Sequence, residues 1–363
     1  MGRVKTIAKY DLKKQAWNFN FSEEERGKAF SIASYKRITN NDSNKFDYII
    51  FSDGCRLEDY SKDFKTIIES KSGIDKIIKF FEGSDRNIVI KLILIDKDAP
   101  LDKDSKMLAN YVNAIGDKEE INSINLIGLS KCGTMMFNMA KYITNMTAKN
   151  KTNIYTIATP FEGTLLASTK YFYPKIREVI KSKIKDEKLA NQVTYSLIKF
   201  YESISSNSHM DYDIAMEGGI PKSKYDRYDS NFIKNIFSKE NIEGINSINN
   251  YQNFTTGIDK DTFKESIKTL NVLGIGLCIL DEYFMGKGTD GMVSTISQKS
   301  VEKYIDKPSY HLKSSHHGVF TSDRLTNEYL TQINEYLKKY DNNKILWYNY
   351  YKHSRRFNLW VKK

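Results

Sequence analysis

The chain has 363 residues, 40% hydrophobic and 28% charged, with a formal net charge of +11. That length suits one large α/β domain with an insertion, or two domains, with a real core. No apolar run reaches the roughly 18 residues that span a bilayer, which excludes a membrane-crossing helix.

Three cysteines, Cys55, Cys132 and Cys278, stand far apart and without zinc-ligand spacing. They speak against a disulfide framework and for a reducing compartment. No metal and no cofactor is expected. The first residues, MGRVKTIAKYDLKKQAW, carry charge but no apolar signal core, so a cytoplasmic location is expected. The lysines are scattered along the chain rather than gathered into a stripe, and no RNA- or DNA-binding motif accompanies them. The basic balance therefore reads as composition, and no nucleic-acid partner is expected.

Residues 1–45 are polar and mixed and read as an N-terminal extension. From residue 46 an alternating rhythm sets in. Tyr48 to Phe51 form an apolar strand that breaks at Asp53-Gly54. Phe64, Ile67 and Ile68, then Ile74, Ile77, Ile78 and Phe81, have helical spacing. Asn87 to Asp96 are apolar on both faces apart from Lys91, as in a buried parallel strand. Met107, Leu108, Tyr111, Val112 and Ile115 mark one face of a helix. Ile124 to Ile127 form the next strand, Met135 to Ile143 the next helix, and Ile154 to Pro160 a further strand. Strand and helix in alternation define a mostly parallel α/β sheet flanked by helices.

The rhythm changes at 166–250, which is amphipathic, tyrosine-rich and helical in pattern, including SNFIKNIF at 230–237. This stretch reads as a lid or cap inserted over one end of the sheet. The core resumes over 251–340, with strands expected at Asn253 to Ile258 and Gly291 to Ser297. A last helix carries Leu325, Tyr329, Leu330, Ile333 and Leu337. The tail, 341–363, is basic and aromatic.

One joint stands out. The strand INLIGLS stops at Gly128, Ser130 follows, and Gly133 opens a helix. A nucleophile at a sheet edge needs a sharply bent backbone with small neighbours. The helix behind it offers amide groups and a dipole to a developing oxyanion.

NLIGLSKCG (Asn125 to Gly133), TIATPFEGT (Thr156 to Thr164), GTDGMVS (Gly288 to Ser294) and SSHHGVFTSDRL (Ser314 to Leu325) occur in this order. Together they resemble the α/β-hydrolase superfamily, and within it serine esterases of the bacterial triacylglycerol lipase type. The resemblance covers roughly residues 46 to 340. It implies Ser130 as nucleophile, Asp290 as the triad acid and His317 as the base, with His316 as the alternative base. The order Ser, Asp, His is the one this fold uses. Asp281, Asp306 and Asp323 compete with Asp290 in the sequence, and Cys132 competes with Ser130. The oxyanion donors it implies are the backbone amides of Cys55 and Lys131.

Three positions depart from the pattern: Leu129 for a histidine, Cys132 for a glycine in the crowded turn, and Asp53 for the histidine before Gly54. The expected substrate is a lipid or other long-acyl ester, because the inserted stretch supplies apolar and tyrosine side chains. Transient contact with an anionic membrane surface is a further expectation from the basic charge and the tail. Two other readings share these residues: an acyltransferase or thioesterase on the same triad, and a non-catalytic relative that only binds.

Overall fold

The computed structural model describes residues 5–11, 16–19, 31–39, 44–52, 74–94, 100–164, 169–204, 232–257, 279, 290, 293–313, 326–335 and 337–338. Nine strands form one sheet. They are β1 (Lys5–Asp11), β2 (Ala16–Phe19), β3 (Ser31–Arg37), β4 (Phe46–Ser52), β5 (Ile88–Leu94), β6 (Ile121–Leu129), β7 (Thr152–Ile157), β8 (Asn250–Gly257) and β9 (Tyr310–Lys313). The spatial order is β2-β1-β3-β5-β4-β6-β7-β8-β9. From β5 across to β9 every neighbouring pair is parallel. β3 runs antiparallel to β5, and β2 antiparallel to β1.

The helices are α1 (Ile74–Glu82), α2 (Leu101–Gly116), α3 (Lys131–Met139), α4 (Met146–Lys151), α5 (Thr169–Lys183), α6 (Glu187–Ile204), α7 (Lys239–Ser247) and α8 (Thr295–Lys299). A last helix, α9, occupies 326–335 and continues at 337–338. No described helix is long and apolar enough to cross a membrane.

Strand side chains alternate between faces, and the core divides accordingly. Ile49, Phe51, Ile90, Leu92, Ile127, Leu129, Tyr155 and Ile157 face one way and meet Ile77 and Phe81 of α1 and Tyr329, Leu330, Ile333 and Leu337 of α9. Ile50, Ile93, Ile124, Leu126 and Ile154 face the other way and meet Leu108 and Val112 of α2 and Met135, Met136 and Met139 of α3. Both faces of the central strands are therefore covered, as continuous apolar runs require. Each fully buried aliphatic side chain contributes about 1.5–3 kcal/mol relative to exposure.

α5 and α6 pack against each other, and their buried residues include Ile176, Ile180, Val193 and Leu197. The end of the 166–250 stretch behaves differently. Ile236, Ile245 and Ile248 join the α2/α3 side of the core. Gly244 lies against the turn at Lys141 so closely that a Cβ would sit 2.5 Å from its backbone nitrogen.

The structure corrects the sequence reading in several places. Residues 1–45, read as a polar and mixed N-terminal extension, supply β1, β2 and β3 to the sheet. Residues 232–237, expected to be helical, form turns. There the Asn241 side-chain amide takes the carbonyls of Asn235 and Ile236, and Ser238 caps the helix that follows. The strand expected at Gly291 to Ser297 is replaced by α8. Ser294 accepts a hydrogen bond from the Ser297 amide and so starts a helix. β9 was not anticipated. Phe64, Ile67, Ile68 and the tail 341–363 lie outside the described residues.

Candidate active site

β6 is flanked by β4 and β7 near the middle of the sheet. Ser130 follows its last residue with φ 53° and ψ −129°. A left-handed backbone is unusual for a residue with a side chain and is found where the surroundings impose it. Those surroundings are visible. The Ser130 amide donates to the Ile157 carbonyl at the end of β7 (2.8 Å), and the Gly133 amide donates to the Ser130 carbonyl (2.9 Å). A Cβ on Gly128 would lie 2.6 Å from the Cys132 carbonyl oxygen. The two glycines are therefore what allow the chain to reverse from strand to helix within three residues. Ala158, at the end of the neighbouring strand, is also left-handed, with φ 51°.

α3 begins immediately after Ser130, and all nine of its residues are buried. A helix enclosed on every side is held by packing rather than by its own propensity. Its N-terminus, the end that favours negative charge, begins at Lys131.

Cys132 is fully buried, with Sγ 3.1 Å from Ser52 Oγ at the end of β4. Ser52 Oγ also lies 3.1 Å from the Ile93 carbonyl oxygen. The cysteine that replaces a glycine in the turn is thus accommodated beneath the sheet edge. Its burial withdraws it as an alternative nucleophile.

Of the four carboxylates weighed in the sequence, two are described. Asp306 is exposed. Asp290 is buried and accepts three hydrogen bonds. Thr256 Oγ1 (2.6 Å) and Gln298 Nε2 (3.1 Å) donate to Oδ2, and the Val293 amide (2.8 Å) donates to Oδ1. Donors of this kind favour the ionised carboxylate. Thr256 belongs to β8 and Gln298 to α8, so strand and helix together fix the carboxylate. Sequence reading missed both residues. Nothing local to either one signals the contact.

The loop after β7 is tied to the same helix. Ser297 Oγ accepts from the Glu162 amide (3.0 Å) and donates to the Gly163 carbonyl (2.8 Å). Glu162 is further paired with Lys303 at 2.9 Å. Gly163 has φ 81°, a conformation glycine adopts without strain.

Cys55, His316, His317, Asp281 and Asp323 lie outside the described residues. One histidine, His311 on β9, is described. Its Nδ1 lies 3.0 Å from Thr255 Oγ1. Partial burial, and next the charges of Lys299 and Lys313, hold its pKa below the ordinary histidine value. Thr255 and Thr256 are consecutive on β8 and point to opposite faces. Their partners are His311 and Asp290 respectively.

A mostly parallel sheet with an antiparallel strand at β3, and a left-handed serine between a central strand and a buried helix, define the α/β-hydrolase fold. No family model matches the sequence, and no curated protein matches it. Among solved structures, the chain is similar to a Bacillus licheniformis lipase, BlEst2, in its mature form. Identity is 12% over 83% of this chain and 97% of that one, with a TM-score of 0.48. It is also similar to a lipase-esterase related protein from Clostridium acetobutylicum, with 14% identity over 83% and 98% of the two chains and a TM-score of 0.36. A third is MenH from S. aureus, with 11% identity over 86% and 98% and a TM-score of 0.35.

Proposed function

We propose that the chain is a serine hydrolase that cleaves carboxylic esters through an acyl-enzyme, with Ser130 as nucleophile. The observation that carries this reading is the left-handed backbone of Ser130 between Gly128 and Gly133. Ala158 shares this conformation but carries no nucleophilic atom, whereas Ser130 pairs it with a hydroxyl at a strand-to-helix turn, the geometry an exposed nucleophile requires. Ser130 keeps partial exposure while its neighbours on both sides are buried.

In this reading Ser130 Oγ attacks the ester carbonyl carbon and gives its proton to the imidazole of His317, or of His316. The carbonyl π electrons move to the oxygen, which the amides of Lys131 and Cys55 stabilise. Loss of one such donor typically costs about 3 kcal/mol of transition-state stabilisation. The tetrahedral species collapses, the C–O bond to the alcohol breaks, and the alcohol leaves with the imidazole proton. Water then repeats the sequence on the acyl-enzyme and releases the acid. Asp290 holds the imidazole tautomer and stabilises the imidazolium.

The preferred substrate is a lipid or other long-acyl ester, on the strength of the amphipathic, tyrosine-bearing helical pair α5 and α6 in the inserted stretch. The test is hydrolysis of p-nitrophenyl esters from two to sixteen acyl carbons by wild type and Ser130→Ala. Turnover that rises with acyl length and vanishes in the variant supports the reading. A preference for acetyl esters overturns the lipid part, and undiminished turnover in Ser130→Ala overturns the whole.

A further inference from the structure

Gln298 is fully buried on α8, and every polar atom of its side chain is engaged. Nε2 lies 3.1 Å from Asp290 Oδ2, 3.1 Å from the Thr256 carbonyl oxygen and 3.1 Å from the Val293 carbonyl oxygen. Oε1 accepts from the Thr256 amide at 2.6 Å and lies 3.2 Å from Thr256 Oγ1. One side chain thus joins the end of β8, the turn at Val293 and the Asp290 carboxylate. Among the described residues, Asp290 is the one charged group that Gln298 touches. The charged or titratable groups on the elements around it, Lys299, Glu302, Lys303, His311 and Lys313, are exposed.

We propose that Gln298 is a positioning residue for the triad acid: its amide fixes Oδ2 of Asp290 against β8 and so sets the orientation of the carboxylate. The proposal rests on the serine-hydrolase reading of Ser130 and Asp290. An amide suits the task because it is a donor and an acceptor at once and carries no charge of its own. Thr256 has a single hydroxyl hydrogen, which goes to Asp290 at 2.6 Å. The Val293 amide holds Oδ1 at 2.8 Å, and the Gln298 amide is the second side-chain donor that holds Oδ2. Misplacement by about 1 Å of a group that orients the chemistry can cost about 100-fold in rate.

The test follows the rate of Ser130 phosphonylation by a fluorophosphonate, in which an O–P bond forms and fluoride leaves. The proteins are wild type, Gln298→Met and Gln298→Glu, each followed from about pH 5 to 9 with circular dichroism at every pH. Gln298→Met keeps the length and removes both polar atoms. It is expected to label about 10–100-fold more slowly while folded, and its kcat on an ester should fall with little change in KM. Gln298→Glu donates to Asp290 only while protonated, and two adjacent carboxylates raise the pKa at which that proton is lost. Its labelling should approach wild type at the acid end and fall away as pH rises, a limb absent from wild type.

Wild-type pH profiles and rates within two-fold in both folded variants overturn the proposal. So does loss of label through unfolding in both variants, since Gln298 would then serve only the fold. If Gln298→Met does not fold, Gln298→Glu decides. A folded wild type that takes no label at Ser130 overturns the hydrolase reading itself, a result separate from any difference among the variants.

Discussion

Gly133 and Thr159 meet so closely that a Cβ on Gly133 would lie 1.9 Å from the Thr159 hydroxyl oxygen. Thr159 is fully buried and has nowhere to retreat. Gly133→Ala is therefore expected to destabilise the protein at the upper end of the about 1–3 kcal/mol typical of overpacking. It should also slow labelling of Ser130, because the strain falls on the first turn of α3. Urea unfolding measures the first effect and a fluorophosphonate the second. Thr159→Ala in the same chain removes the clashing hydroxyl and should recover part of both losses.

The other end of the strands gives a contrasting expectation. Asp47, 3% exposed, accepts from Arg86 Nε at 2.5 Å, Ser123 Oγ at 2.5 Å and Asn122 Nδ2 at 2.9 Å. Removing one partner of a buried ion pair typically costs about 3–5 kcal/mol. Asp47→Ala should lower stability by that order in urea unfolding. Ser123 and Ser130 are separated by roughly 20 Å of extended strand, so kcat/KM well below the unfolding midpoint should stay near the wild-type value.

His311 separates stability from chemistry in a third way. Its folded pKa lies below the ordinary value of 6.5. The unfolded chain therefore binds the proton first as pH falls, and stability drops from about pH 6.5 downward until the folded pKa is passed. Above that window both states are neutral and the contribution is complete. His311→Gln should flatten the decline of the urea midpoint on the acid side of about pH 6.5. Labelling of Ser130 at neutral pH should persist in this variant and disappear when His316 and His317 are both replaced by Gln. Loss of labelling in a folded His311→Gln would instead give His311 a part in the chemistry.

How much of this was legible in the sequence depended on how local each cause is. The bend at Ser130 was legible because Gly128 and Gly133 act within a few residues of it. β4 to β7 were legible because strands covered on both faces are continuous apolar runs. β1 and β3 were not, because KTIAKYD and SIASYKR mix charged and polar residues with the apolar ones. The segment at 293–299 misled because Val293, Thr295 and Ile296 favour a strand, while the Ser294 cap decided for a helix. Asp290 was chosen among four carboxylates from the resemblance. Its three donors come from β8, α8 and the turn at Val293, and only folding brings them together. Gln298 was invisible for the same reason.

The central claim is that the oxygen of Ser130 is the nucleophile. Its most direct test is a fluorophosphonate reaction with the full-length protein, followed by mass spectrometry of the digested adduct. The account predicts a single phosphonylated peptide that contains Ser130, absent from a folded Ser130→Ala variant. A folded wild type that takes up no label, or an adduct on another residue that survives in Ser130→Ala, would contradict it.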